Sequence, residues 1–361
     1  MIPAWKLRQE WARFKQQLSA IPEFFLEPIA RRRHDRAFAA GFPCADGGVP
    51  QSGKIAIVLL YQPDGILDST LSTLGHLQEH GYAPFVVSNT PISDADKTRL
   101  HPQAWRIMER PNFGYDMGGY RDGILQLLAW DITPQHLLIL NDSIWFPTLS
   151  QPPLIPALEQ SQADLSGTIL RERKKIRFLE SYLYHVPQRL FQSRAFQDFW
   201  RGLRITSNKY KVIRRGERGF SLAMQSAGKS VHGLFSKPDF LARIADMDRA
   251  FLEKTVQHAA HIYPEYEVEQ QELLASFDDP AWPERAREHI KNAISRENIY
   301  SAFPYAMVHL NAYPILKKSN DRLAMLWRRA YLTAVLAGEI PAPPKPVMRE
   351  LQAMCDQHAD G

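Results

Sequence analysis

An α/β fold on a mostly parallel central sheet is what this sequence predicts, and three observations predict it. Lys54–Tyr61 (KIAIVLLY) is a continuous apolar run of strand length, the pattern of a strand buried on both faces. Further strand-like runs alternate with helix-periodic stretches, which implies crossover connections and parallel pairing. The run His136–Leu140 stops abruptly in Asn141-Asp142-Ser143. A buried strand ending in a polar cluster is where open α/β sheets place ligand groups.

The elements follow in order. Residues 1–40 hold eight Lys/Arg against four Asp/Glu, with Trp5, Trp11, Phe14, Leu18, Ile21, Phe24 and Phe25 at helical spacing among them. This is a basic amphipathic helix, suited either to an anionic membrane surface or to packing on the main domain. Gly- and Pro-rich residues 41–53 read as a linker. After the first strand, Leu67–His80 is helical and stops at Gly81. Pro84–Asn89 and Trp105–Glu109 are the next strands. A glycine-rich polar turn then leads into the helix Asp122–Trp130, followed by the strand His136–Leu140.

Beyond Pro147, Ala163–Leu170 reads as a strand, and Phe178–Val186 as one half-buried strand. Ser193–Leu203 is a helix, and Glu217–Ala227 is a short helix closed by Gly228. Ser230–Phe235 is strand-like. The chain is helical from about Asp239, including Leu323–Leu336, and loose after Pro341. The expected organisation is an N-terminal segment (1–50), the α/β domain (51–238), a helical C-terminal region (239–340) and a tail (341–361).

Composition narrows the function. Two cysteines near opposite ends form no disulfide framework or zinc cluster. No apolar run approaches membrane-spanning length and no signal-peptide core opens the sequence, so a cytoplasmic protein is expected, peripheral at a membrane if residues 1–40 bind one. A net charge of +5 without a recognition motif disfavours nucleic acid. The first strand continues as YQPDG rather than a Gly-rich fingerprint, which disfavours a dinucleotide-binding domain. His258, His261 and Glu265 have helical spacing, but Pro264 interrupts it, and they read as ordinary surface residues.

The stretch 110–147, RPNFGYDMGGYRDGILQLLAWDITPQHLLILNDSIWFP, carries the most functional information. Gly114, Gly118 and Gly119 would let the backbone approach a ligand, and the following helix start favours an anion. Asp116 and Asp122 suit sugar or ribose hydroxyls, or a helix cap. The succession PNFGYDMGGYRDG, LLILNDSIWFP, ADLSGT, FLESYLYHVPQRLFQSRAFQDFW and a Glu-led helix resembles the rhamnan synthesis protein F family over about residues 54–235, with YPILKKS a fainter echo further on.

That resemblance implies a GT-A-like nucleotide-sugar-binding domain and a glycosyltransferase of cell-surface polysaccharide assembly. It implies a nucleotide-sugar donor, a lipid-linked or polysaccharide acceptor, and rhamnose or a related deoxyhexose as the sugar. Donor-binding candidates are Tyr61, Asn89, Asn112, Gly114, Tyr115, Asp116, Gly118, Arg121, Asn141, Asp142 and Ser143; acceptor-side candidates are Glu180, Tyr182 and His185. Where GT-A enzymes carry Asp-x-Asp, this chain has Asn141-Asp142-Ser143 with one carboxylate. Asp142 therefore either holds Mg²⁺ or Mn²⁺ with the substrate phosphates, or bonds a ribose hydroxyl while cations such as Arg121 meet the phosphates. The catalytic base of an inverting transfer is expected at Glu217, placed at a helix start, with Asp164 and Glu180 as competitors. The rival readings are a catalytically silent glycan- or partner-binding domain and a basic membrane adaptor.

Overall fold

The computed structural model describes residues 20–173 and 176–356. Expectations about residues 1–19 lie outside the described residues, as do the side chains of 20–25. The strands are β1 (Cys44–Asp46), β2 (Lys54–Leu60), β3 (Tyr82–Ser88), β4 (Arg106–Glu109), β5 (His136–Asn141), β6 (Ile144–Trp145), β7 (Leu165–Arg173), β8 (Ile176–Leu179), β9 (Leu183–Pro187), β10 (Val231–Phe235) and β11 (Leu316–Lys317). The main sheet runs β1-β4-β3-β2-β5-β9-β7-β10, with β8 paired to β7. β2, β3, β4 and β5 pair in parallel, β9 lies antiparallel between β5 and β7, and β10 is parallel to β7. This is the mostly parallel α/β class expected from the sequence.

The continuous apolar runs are explained by burial on both faces. In β2, Ala56, Val58 and Leu60 enter one core while Ile55, Ile57 and Leu59 enter the other. Leu138 and Leu140 of β5 share the first core, and Leu137 and Ile139 the second. The first core continues into the C-terminal helices as far as Leu351; the second holds the helices between residues 188 and 226.

Four local expectations change. The glycine-rich turn is the first half of a helix, Tyr115–Ala129. Its glycines serve packing: a Cβ on Gly119 would sit 2.1 Å from Leu59 Cδ1, and one on Gly118 2.1 Å from the Phe113 carbonyl oxygen. The run 178–186 is split between β8 and β9, both antiparallel to β7, so a turn at residues 180–182 replaces a continuous strand. The supposed loose tail forms the helix Lys345–Asp356, whose Val347 and Leu351 are buried. Part of the linker pairs as β1 with β4.

His258 and His261 are also not surface residues. Both are buried, His258 against Glu339 and His261 with Nδ1 2.7 Å from Glu297, whereas Glu265 pairs with Arg296 on the surface.

Candidate active site

The chain leaves β2 for β3 and β4 on one side and returns as β5 on the other. The C-terminal ends of β2 and β5 therefore flank a topological switch point, where open α/β sheets bind ligands. Asp142 spans that point: its Oδ2 accepts hydrogen bonds from the Tyr61 N–H (2.7 Å) and Gln62 Nε2 (3.0 Å). Burial pushes its carboxyl above the ordinary range, against the Tyr61 N–H, the charge of Lys318 and Gln62.

Beside it opens a cavity of about 140 Å³. One wall is Asp116, Asn141 and Ser143. Asn141 Nδ2 donates to Asp116 Oδ2 (3.0 Å), and Asn141 Oδ1 accepts from Ser143 Oγ (2.6 Å) and the Ser143 N–H (3.2 Å). Burial, with the negative charge of Asp142 added, pushes the Asp116 carboxyl up to about 6; Lys209 and the Asn141 bond oppose the shift.

The facing wall carries Arg171, Glu180, Ser181, Tyr182, Glu217 and Lys317. Burial disfavours charge on Glu180, but Lys317 (3.4 Å), Arg171 and the Tyr300 hydroxyl (2.7 Å) outweigh it and hold this carboxyl below the ordinary range. Tyr182 is held by Thr168 (2.6 Å) and the Tyr313 hydroxyl (2.9 Å).

Glu217 is not at a helix start. Helical structure begins at Lys209, passes through a π-helical turn at Ile213–Arg218 and continues to Ser226, so Glu217 sits on the π turn. Such turns widen a helix locally and recur at functional sites. Burial raises the Glu217 carboxyl, and neighbouring Glu180 adds to it, against Arg171, Lys317 and a hydrogen bond from Ser181. The helix-dipole account of an easily ionised Glu217 is replaced by one in which burial holds its proton more tightly.

Six predicted residues thus line one cavity: Asp116, Asn141, Ser143, Glu180, Tyr182 and Glu217. Asp142, between Asn141 and Ser143 in the chain, does not line it but a smaller neighbouring pocket with Lys318, and Tyr61 is bonded to Asp142. Other candidates are placed elsewhere. Arg121 is buried against Asp35 (2.9 Å) and Asp122 (3.3 Å), and Asn89 against Arg110. Asp122 is fully buried, bonded to His34 (2.8 Å) and Arg110 (2.7 Å).

Asp164 binds Ser230 and Arg189 at the start of β7, and His185 stacks on His136 towards the opposite end of β5. Asn112 is exposed, and the Tyr115 hydroxyl donates to the Ser207 carbonyl (2.9 Å). Gly114 (φ +87°) packs on Ile205, and Gly118 lies within the helix.

Sequence reading missed the cations. Lys317 enters because β11 pairs with β6 directly after the strand-end cluster, Lys317 opposite Ile144. The Lys318 N–H donates to the Ser143 carbonyl (2.8 Å), and its Nζ to Ser69 Oγ (3.0 Å). The YPILKKS echo was the available signal. Arg171 had none beyond its place at the end of β7.

Asp142 Oδ2 is taken up by Tyr61 and Gln62, Asp116 Oδ2 accepts from Asn141, and among the described residues no group of three or more His, Cys, Asp or Glu side chains is placed to hold a metal ion.

Fold and site together define a mostly parallel α/β domain with a polar, mixed-charge cavity at its switch point. Residues 85–255 match the family Rhamnan synthesis protein F, the family whose motifs the sequence resembles. An uncharacterized protein, y4gN, of Sinorhizobium fredii is 29% identical over 354 residues, covering 95% of this chain and 90% of that one.

Among solved structures, a mannosyltransferase from Pyrobaculum calidifontis in complex with GDP-Man and Mn²⁺ is 11% identical, with TM-score 0.31, over 95% of this chain and 98% of that one. A nucleoside-diphosphate-sugar pyrophosphorylase from Vibrio cholerae is 12% identical, with TM-score 0.31, over 57% of this chain and 89% of that one. Among the described residues, no helix is long and apolar enough to cross a membrane.

Proposed function

We propose that this protein is an inverting glycosyltransferase that moves a sugar, rhamnose or a related deoxyhexose, from a nucleotide-sugar donor to a growing cell-surface polysaccharide. The observation that carries the reading is the meeting, in one cavity at the switch point, of a raised carboxyl (Glu217), a lowered one (Glu180) and two cations (Arg171, Lys317). Carboxyls whose environments push them apart suit different roles in acid–base chemistry. The family match supports a polysaccharide product, and its description, Rhamnan synthesis protein F, is the reason for choosing rhamnose or a related deoxyhexose.

In this reading Asp142, Tyr61 and Asn141 hold the nucleotide side of the donor at the ends of β2 and β5. Glu217, once ionised, takes the proton of the acceptor hydroxyl as that oxygen bonds to the anomeric carbon. The carbon–oxygen bond to the diphosphate breaks on the opposite face, and its electron pair leaves with the diphosphate. Lys317 and Arg171 offset the developing negative charge, the role that preorganised donors play in a water-poor site. Glu180, pinned by both cations, keeps them oriented.

Thermal-shift measurement with nucleoside diphosphates and nucleotide sugars, followed by product analysis with the donor that binds, tests the reading. A ligand that binds only the folded state raises the melting temperature by mass action. A protein indifferent to every nucleotide would be a glycan- or partner-binding domain instead.

A further inference from the structure

The helix Ala20–Ala39 separates its charges by face. From Leu26 onward, its two acidic residues and its histidine turn inwards: Glu27 pairs with Lys211 (3.2 Å) and Arg215, His34 lies 2.8 Å from Asp122, and Asp35 lies 2.9 Å from Arg121. Leu26, Ile29, Arg33 and Arg36, spaced three, four and three residues apart, share the outward face with Arg32. Leu26 is 59% and Ile29 63% exposed, and the three arginines are exposed with no carboxylate partner among the described residues. Braced by Glu27 and Asp35, the helix presents Leu26, Ile29 and three arginines on its outward face.

We propose that this face docks on an anionic lipid bilayer. Unpaired arginines complement lipid phosphates, and two exposed aliphatic side chains beside them can enter the headgroup boundary, as in interfacial helices. Protein–protein docking would leave three arginines to be matched by carboxylates; an anionic bilayer supplies the charge at any register. Docking also fixes the cavity relative to the lipid, since Glu27 grips the helical segment that leads to Glu217, and His34 and Asp35 grip the helix that carries Asp116.

The test is co-sedimentation of the full-length protein with vesicles of phosphatidylcholine alone or with about a third phosphatidylglycerol, over a range of salt. The wild type should bind only the anionic vesicles and release as salt rises. The triple variant Arg32→Gln/Arg33→Gln/Arg36→Gln should lose roughly 100-fold in partitioning, and Leu26→Ser/Ile29→Ser should also bind more weakly, both with unchanged melting temperature. These variants leave residues 1–19 intact, so the loss reports on this face. Equal binding by the triple variant, equal binding to neutral vesicles, or no binding by the wild type overturns the proposal. So does a salt-sensitive dimer that dissolves in the triple variant without vesicle binding, which would assign the face to a second copy. None of these outcomes depends on what the cavity catalyses.

Discussion

Asn141 Nδ2 donates to Asp116 Oδ2 across 3.0 Å, joining the end of β5 to the first turn of the helix Tyr115–Ala129. The bond fixes the geometry of that cavity wall, but the carboxylate is held at a cost, because burial pushes its pKa from 3.8 up to about 6. A carboxyl raised in the folded state binds its proton more tightly there than in the unfolded chain. Its contribution to stability is therefore unaffected at low pH, falls as pH rises from about 4 through about 6, and stays lost above. Asp116→Asn should stabilise the protein above neutral pH by on the order of 1–3 kcal/mol, with no gain near pH 4, and should impair transfer. Urea unfolding at both pH values checks the sign.

Glu217→Gln should lower turnover by about 10²–10⁴-fold with little change in donor affinity, since glutamine keeps the shape but cannot accept the proton. Because burial raises this carboxyl, wild-type turnover should increase with pH along a limb above the ordinary glutamate range. The limb should vanish in Glu217→Gln and persist in the residual activity of Asp116→Asn. A limb lost only in the latter would transfer the base role to Asp116.

Lys317→Met should reduce turnover roughly 10²-fold, the loss typical of removing one preorganised donor. Arg171 still pairs with Glu180, so the fold should survive. Donor binding measured by thermal shift should weaken less than turnover falls; equal losses would make Lys317 a ground-state contact only.

Gly118→Ala should cost more stability than Gly119→Ala. The added carbon meets the Phe113 backbone oxygen in the first case and the end of the flexible Leu59 side chain in the second, both at 2.1 Å. Overpacking typically costs about 1–3 kcal/mol, and a backbone contact relaxes least. Were these glycines serving a ligand instead, nucleotide affinity would fall while the unfolding midpoint stayed put.

Glu350→Ala should destabilise the protein by about 1–3 kcal/mol. Glu350 accepts from the Ser69 N–H (3.0 Å), Ser69 Oγ (2.5 Å) and Trp145 Nε1 (2.7 Å). Its loss leaves Trp145 Nε1, on a side chain only 1% exposed, without a partner. Limited proteolysis should then cut first near the helix Lys345–Asp356; unchanged protection would show that the helix is held by Val347 and Leu351 alone.

What the sequence determined is what neighbours in the chain decide. Ile55–Leu60 read as a strand buried on both faces because their apolar side chains are unbroken, with exposed Tyr61 falling outside it, and Asn141-Asp142-Ser143 read as a strand end because those residues favour turns. Residue types also marked Asp116, Glu180 and Glu217, which do converge on one cavity. Tertiary structure decided the rest. The glycines, legible as a loop, lie in a helix, where distant Leu59 packs so close to Gly119 that a side chain there would clash. Arg121, legible as a phosphate cation, was claimed by Asp35 and Asp122, while Lys317 arrived from far along the chain through β11. Periodicity reports burial along one element; which charges meet, and which carboxyl is raised or lowered, depends on long-range contacts that no local pattern encodes.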